Sequence, residues 1–307
     1  MKKINIPLTV PAKKQKEYLK NLRKATRNTG RLLLFAGDQK IEHLNGDYFS
    51  PDLPREVNNP EHLFQVASKS EIGVFAAQMG LIARHARKYP KTPYLIKLNS
   101  KTNLVKADAF SNLLTSVEDV VRFKKQSKLN IVGVGYTIYI GSDFEPEILE
   151  QASEAIIQAH QAGLIIVIWM YPRGGKVKDE DDIHLIAGGA GVAHTLGADF
   201  VKTKYPYGSA KATAEKFKEV TEAAGNTGVL CVGGSKKAPK TFLQSLYHQI
   251  HTSKTSGAAV GRNIYQRTLK ESIQMANAIS SIVFYNAKPT EAYQIFLGKK
   301  KLNKKKK

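Results

Sequence analysis

Hydrophobic and polar positions fall in repeating blocks along this chain. Short apolar runs rich in β-branched residues recur at 31–36 (RLLLFA), 72–76 (IGVFA), 94–98 (YLIKL), 130–134 (NIVGV), 164–168 (LIIVI), 198–206 (ADFVKTKYP), 228–232 (GVLCV) and 257–260 (GAAV). Each is short, apolar and followed by a turn-rich polar segment, the pattern of a buried strand. Longer amphipathic stretches lie between them. The first, 11–27, precedes the first run and places Tyr18, Leu19 and Leu22 on one stripe, with Gly30 to end it. Helices are expected at 60–70, opened by Asn59 with Pro60 in the first turn, and at 81–88. Another is expected at 120–125, behind a capping box read at Thr115 to Glu118. The rest are expected at 146–162, from 179–182 to about Leu196, and at 210–224, 238–250 and 264–282.

Apolar strands that alternate with helices imply a parallel sheet covered on both faces. Eight such units in about 250 residues predict an α/β fold, a (β/α)8 TIM barrel. It carries an extra N-terminal helix at about 11–28, and the barrel itself spans about 31–285. One barrel domain over 1–298 and a disordered lysine-rich tail at 299–307 complete the expected organisation. A doubly wound open sheet is the alternative. The barrel accounts for more, because the unusual polar clusters come just after strands, where a barrel builds its site.

Composition changes this picture only in places. At 307 residues and 42% hydrophobic content the chain can bury a large core. Its lone cysteine, Cys231, lies in an apolar run, which leaves no disulfide framework and no cysteine zinc site. The first residues lack the apolar core of a signal peptide, and no apolar stretch approaches about 18 residues. A cytoplasmic location is expected. Lys and Arg number 47 against 26 acids, a net charge of +21. Part of the excess is the tail; the remainder suits a negatively charged small substrate.

Candidate chemistry centres on 198–206. Alternation along a strand points Lys202 and Lys204 the same way. Two lysines on one buried face are hard to explain as packing, and desolvation with a like charge lowers an amine's pKa, as a Schiff-base lysine requires. A strand end whose lysines reach solvent is the competing reading. Glycine turns after the seventh and eighth strands, Gly233-Gly234 and Gly261 with Arg262, match the usual barrel phosphate site. Trp169 and Tyr171 share strand parity, which gives an aromatic wall and an acid/base group; Trp169 alone also reads as core packing. Asp38 follows the first strand, with Glu42 and His43 behind it, and a carboxylate there stabilises an iminium. Lys97 precedes Asn99 at the end of the third strand. His248 and His251 share a helix face and read as surface or core residues. No metal or cofactor is required, because a protonated Schiff base is itself an electron sink.

The segments DQKIEH, LIKLNSKT, GYTIYIGS, WMYPRGGK, ADFVKTKYP, GG and VGRNIYQR occur in the order of the archaeal-type class I fructose-bisphosphate aldolases. These are Schiff-base aldolases of the deoxyribose-phosphate aldolase and LacD-like superfamily, and the chain resembles them over about 32–267. The resemblance implies a TIM barrel that assembles into homo-oligomers, with no cofactor. It places the Schiff base on Lys202, general acid/base work on Tyr171 and assistance on Asp38. Trp169 lines the substrate site, His43 stands near Asp38, and Gly233, Gly234, Gly261 and Arg262 hold phosphate. Lys204 is expected to keep the Lys202 pKa low, and Lys97 to bind substrate. Gln39, Lys40 and Leu44 replace the His, Gly and Gly common in the family, Val232 replaces a serine, and an extension at 44–59 is rich in proline and charge. These departures bear on the far end of the substrate.

The expected function is reversible cleavage of fructose 1,6-bisphosphate to dihydroxyacetone phosphate and glyceraldehyde 3-phosphate. A related Schiff-base barrel acting on another phosphorylated keto substrate is the alternative, as a transaldolase-type synthase or a thiolase of a phosphorylated dione. A non-catalytic anion- or RNA-binding barrel would rest on the lysine tail alone, so the expected partner is a phosphorylated sugar and not nucleic acid or a membrane.

Overall fold

A computed structural model of the chain describes residues 5–104, 108–206 and 211–304. Eight parallel strands close into a barrel in sequence order, with helices packed outside. They are β1 (Leu32–Ala36), β2 (Val74–Gln78), β3 (Tyr94–Lys97), β4 (Ile131–Ile140), β5 (Ile165–Pro172), β6 (Phe200–Thr203), β7 (Gly228–Val232) and β8 (Gly257–Val260). Closure is made by β1 on β8, where Leu32 pairs with Gly257 and Phe35 with Val260.

Side chains that alternate along the strands divide the core in two. One set, including Leu34, Val74, Leu95, Val167, Trp169, Phe200 and Leu230, fills the barrel. The other, including Phe35, Phe75, Ile166, Val201 and Cys231, packs beneath the helices. The N-terminal helix Gln15–Ala25 belongs to the interior set, because Tyr18, Leu22 and Ala25 join it. It closes the barrel at the N-terminal ends of the strands. There Asn21 donates to Gly163 O at 2.8 Å and Tyr18 donates its hydroxyl to Asp199. Asp199 also accepts from the Ile166 N–H at 2.8 Å, and His160 Nε2 lies 3.4 Å from it. Thr9 reaches His160 from outside at 2.6 Å.

Several expected boundaries move. β4 and β5 run on through GYTIYI and WMYP, which the sequence had suggested were loops, and pair residue for residue to Ile140 and Pro172. Aromatic and β-branched residues favour a pleated surface, and no turn residue interrupts them before Gly141 and Pro172. β2 begins at Val74 rather than Ile72. The N-terminal helix stops at Ala25, where Arg27 and Asn28 enter the left-handed region before Gly30 is reached. The capping box is one residue further on: Ser116 caps the helix Val117–Ser127 in exchange with Asp119. Residues 179–182 are a loop whose last member, Asp182, caps Ile183–Leu196. The helix expected at 210–224 is two, Lys211–Lys216 and Lys218–Ala223, and its first expected residue lies outside the described residues. The last long helix is also split, into Arg262–Tyr265 and Leu269–Tyr285, and a further helix, Pro289–Phe296, was not foreseen. The described part of the tail is docked: Leu302 packs on the core, and Lys300 and Lys304 pair with Glu291 and Glu71 at 2.6 and 2.8 Å. Residues 305–307 lie outside the described set.

Candidate active site

The open end of the barrel is where the strands finish, and charged side chains enter the apolar interior there. Lys202 is the third residue of β6 and is 5% exposed. Its strand partner on β5 is Trp169, and its Nζ lies 4.7 Å from that ring's centroid. The ring needs a gap in β4: a Cβ on Gly135 would stand 2.2 Å from Trp169. Among the described residues no hydrogen bond or ion pair holds the Lys202 amine. Burial pushes its pKa down, and the Asp38 and Glu42 carboxylates pull it partly back.

Lys97 ends β3, is also buried, and places its Nζ 5.3 Å from the same indole centroid. Burial pushes its amine down to about 8, against the pull of Glu42 and Asp38 and with a push from Lys202. Lys97 is tied where Lys202 is not. Its Nζ donates to the Asn99 main-chain O at 2.6 Å and to Asn99 Oδ1 at 2.8 Å. Asn99 is itself fixed: its Nδ2 donates to Ser111 O and Thr137 O at 3.1 and 3.0 Å, and its Oδ1 accepts from the Thr137 N–H at 2.7 Å. One lysine is clamped and the other lies over the indole face with no hydrogen-bond partner among the described residues.

Asp38 follows β1 by two residues and is 3% exposed, and its Oδ1 has no hydrogen-bond partner among the described residues. The short helix Gln39–Glu42 then returns Glu42 toward the same charges, four residues on from Asp38. Burial and Asp38 raise the Glu42 carboxyl above the usual range, opposed by Lys97, Lys202 and His43. Tyr171 stacks near Tyr139, its strand partner, with centroids 6.5 Å apart, and Arg173 lies 5.8 Å from its ring. Burial holds the Tyr171 phenol well above its ordinary value, helped by Glu42, Asp38 and Tyr139. Buried polar atoms without partners among the described residues gather at this end: Asp38 Oδ1, Gln39 Oε1, Thr137 Oγ1, Trp169 Nε1 and Arg262 Nε. Such atoms are costly to leave unpaired, so their concentration marks a surface built for a polar ligand.

The glycine turns lie beside this cluster, after β7 and β8. Asn263 Nδ2 bridges them, donating to Gly233 O and Ser235 O at 2.8 and 2.9 Å. Gly234 has φ +65° with open space where a side chain would stand. Gly261 touches the first loop: a Cβ there would meet Gln39 Nε2 at 2.4 Å. Arg262 follows, with Nη1 3.6 Å from Asp47 Oδ1.

Two expected neighbours are placed elsewhere. Lys204 lies beyond the end of β6 and pairs with Asp181 at 3.0 Å and Glu180 at 3.8 Å, so its charge is met by the β5 loop. It does not act as the cation that depresses Lys202; burial does that, and the like charge in the barrel is Lys97. His43 turns to Asp47 on the Arg262 side. Glu42 and Asn99 are residues of this cluster to which sequence reasoning gave no role. The spacing of Asp38 and Glu42 was a signal for one; the Asn99 clamp depends on contacts far apart in sequence. The charge excess is also redistributed. A groove of ≈ 860 Å³ runs along the outer side of the N-terminal helix, lined by Lys13, Lys16, Lys20, Lys24, Lys91 and Lys128. That part of the positive charge lies at the closed end, away from the site. Among the described residues no group of three or more His, Cys, Asp or Glu side chains is placed to hold a metal ion, and no helix is long and apolar enough to cross a membrane.

A parallel eight-stranded barrel with two lysines sharing one indole and facing two carboxylates at its open end defines a lysine-bearing TIM barrel of the aldolase kind. Known proteins agree. The family described as "DeoC/LacD family aldolase" matches residues 32–267. A Methanocaldococcus jannaschii protein named "Fructose-bisphosphate aldolase/6-deoxy-5-ketofructose 1-phosphate synthase" is 52% identical, over 97% of this chain and 96% of its own length. The solved fructose-bisphosphate aldolase of Slackia heliotrinireducens superposes with a TM-score of 0.95 at 45% identity, covering 98% of this chain and 96% of that one. An archaeal fructose-1,6-bisphosphate aldolase, solved with its catalytic Lys covalently bound to a carbinolamine intermediate of its substrate, matches with a TM-score of 0.74 at 31% identity. It covers 87% of this chain and 99% of its own. The chain belongs to the DeoC/LacD family of aldolases.

Proposed function

We propose that the protein is a class I aldolase that reversibly cleaves fructose 1,6-bisphosphate through a Schiff base on Lys202. The observation that carries this is the pair of buried lysines, one clamped by Asn99 and one unpaired over Trp169. A nucleophile needs a free, deprotonated amine, and desolvation supplies it. Lys202 Nζ attacks the C2 ketone, and the carbinolamine loses water to give an iminium. Glu42, whose carboxyl is kept protonated more readily than usual, supplies the proton that leaves with that water. Asp38 then faces the new cation. The C3–C4 bonding pair moves into the iminium and makes an enamine, while the C4 hydroxyl loses its proton to Tyr171 and becomes the aldehyde of glyceraldehyde 3-phosphate. Tyr171 is a phenol in the free protein, because burial and the carboxylates oppose its ionisation. The iminium cation offsets those carboxylates and favours the phenolate: the Tyr171 proton passes to Glu42, left as a carboxylate by the dehydration, and Tyr171 then accepts the proton of the C4 hydroxyl. Returning that proton to C3 and adding water to the iminium frees dihydroxyacetone phosphate and Lys202. Trp169 lines the carbon chain, Lys97 contacts substrate oxygen, and Gly233, Gly234, Gly261 and Arg262 seat a phosphate.

Borohydride trapping with fructose 1,6-bisphosphate tests this. One adduct is expected, on the peptide bearing Lys202, and Lys202→Ala should lose the adduct and about 10⁴-fold or more of kcat. An adduct on Lys97 instead, or full activity in Lys202→Ala, overturns the assignment.

A second reading has a specific support, the double name of the 52%-identical relative. In it the same enamine is captured by a different aldehyde, giving 6-deoxy-5-ketofructose 1-phosphate. The lysine chemistry is unchanged and only the electrophile differs, so product analysis with fructose 1,6-bisphosphate and a three-carbon α-keto aldehyde separates the two.

A further inference from the structure

Asp47 sits in the segment 44–59 that follows the short helix Gln39–Glu42, and its surroundings are unusual for a loop carboxylate. Its side chain is only 14% exposed. Oδ1 lies 3.6 Å from Arg262 Nη1, and Oδ2 is bonded by His43 Nδ1 and, at 3.5 Å, by the Tyr265 hydroxyl. Its main-chain O accepts from Gln266 Nε2 at 2.8 Å. The next residue, Tyr48, is buried and stacks on Tyr265 with centroids 5.0 Å apart and planes 2° from parallel. The backbone of Asp47 is therefore held from both sides, and its carboxylate is fixed beside the guanidinium. Arg262 is not saturated by this contact, since its Nε is buried without a partner.

We propose that Asp47 is a built-in counter-ion of the phosphate seat, occupying Arg262 in the free protein and competing with an incoming phosphate for it. This rests on the reading of Gly233, Gly234, Gly261 and Arg262 as that seat. A carboxylate and a phosphate that share one guanidinium repel each other, and a fixed carboxylate cannot swing far to relieve this. A lone inorganic phosphate must meet that repulsion with the seat's contacts alone. A phosphorylated substrate, also held at the Lys202 end, meets it with contacts at both ends. Asp47 is thus a specificity-determining residue: it weakens binding of every anion at the seat and leaves the tethered ligand ahead. His43 bonds the opposite oxygen and so helps to hold the carboxylate in place as the phosphate arrives.

The test is binding of inorganic phosphate at constant ionic strength, followed by calorimetry and by the phosphate-dependent rise in melting temperature. Asp47→Asn keeps the shape and removes the charge, and should tighten phosphate binding about tenfold. Asp47→Ser should move it in the same direction, which guards against a fault peculiar to one variant. Arg262→Ala should weaken phosphate binding, and adding Asp47→Asn to it should produce no further tightening. If Arg262→Ala weakens phosphate but both Asp47 variants leave it unchanged or weaken it too, the counter-ion role is overturned and the seat stands. If Arg262→Ala leaves phosphate binding unchanged, the seat itself is misread.

Discussion

Two buried aspartates, one at each end of the barrel, are treated in opposite ways. Asp199, before β6, accepts from the Tyr18 hydroxyl and the Ile166 N–H and faces His160. Asp38, after β1, is equally hidden, yet its Oδ1 meets no donor and its neighbours are two lysines and a second carboxylate. A satisfied buried charge contributes to a particular structure, because breaking its network strands the partners. An unsatisfied one lowers stability and is retained where a ligand completes it. The closed end of this barrel is built for folding and the open end for chemistry.

The contrast can be broken by treating the two aspartates alike. Asp38→Asn should lower kcat/KM by about 10³-fold, the scale on which a positioned charge acts in a water-poor site. Its melting temperature should stay level or rise, measured by calorimetry on the same preparation. A clear loss of stability would mean that Asp38 is structural. Asp199→Ala should do the reverse. It leaves the Tyr18 hydroxyl and the Ile166 N–H without their acceptor, at a cost of about 3 kcal/mol in urea unfolding, while turnover per folded molecule holds at 25 °C.

A smaller effect sharpens the same point through pH. The Lys97 amine is held at about 8 against an ordinary 10.5. Between these values the unfolded chain binds the extra proton, so rising pH stabilises the folded form. From pH 7 to 9.5 the wild type should gain about 2 kcal/mol relative to Lys97→Met, and a matching slope in the two proteins would sink this.

Much of the barrel was legible because its strands are apolar on both faces and so stand out as runs. β7 and β8 were bounded correctly because glycine punctuates them. β4 and β5 were cut short because Thr137, Tyr139, Trp169 and Tyr171 are polar or aromatic, and such residues near a strand end look like loop. They are strand residues that protrude into the mouth. Alternation was enough to single out Lys202, since period 2 is a local property. It failed for Lys204, because parity says where a side chain starts and not what meets its amine; Glu180 and Asp181 come from the preceding loop. Asn99 was seen only as a neighbour of Lys97. Its clamp depends on Ser111 and Thr137, which topology brings together and no local pattern announces. Asp199 stood in the very stretch that drew attention, and nothing in ADFVKTKYP tells that it looks toward Tyr18 while Lys202 looks the other way.

The helix Gln15–Ala25 also decides traffic. With Tyr18, Leu22 and Ala25 packed against the interior set, the barrel is plugged at the N-terminal ends of its strands, opposite the lysines. On the proposed reaction, sugar, departing aldehyde and incoming water would all pass the opposite rim. On the proposed reaction a newcomer would reach the enamine only after the first fragment has gone, and the wait before the next arrival would decide whether the three-carbon unit is released or handed on.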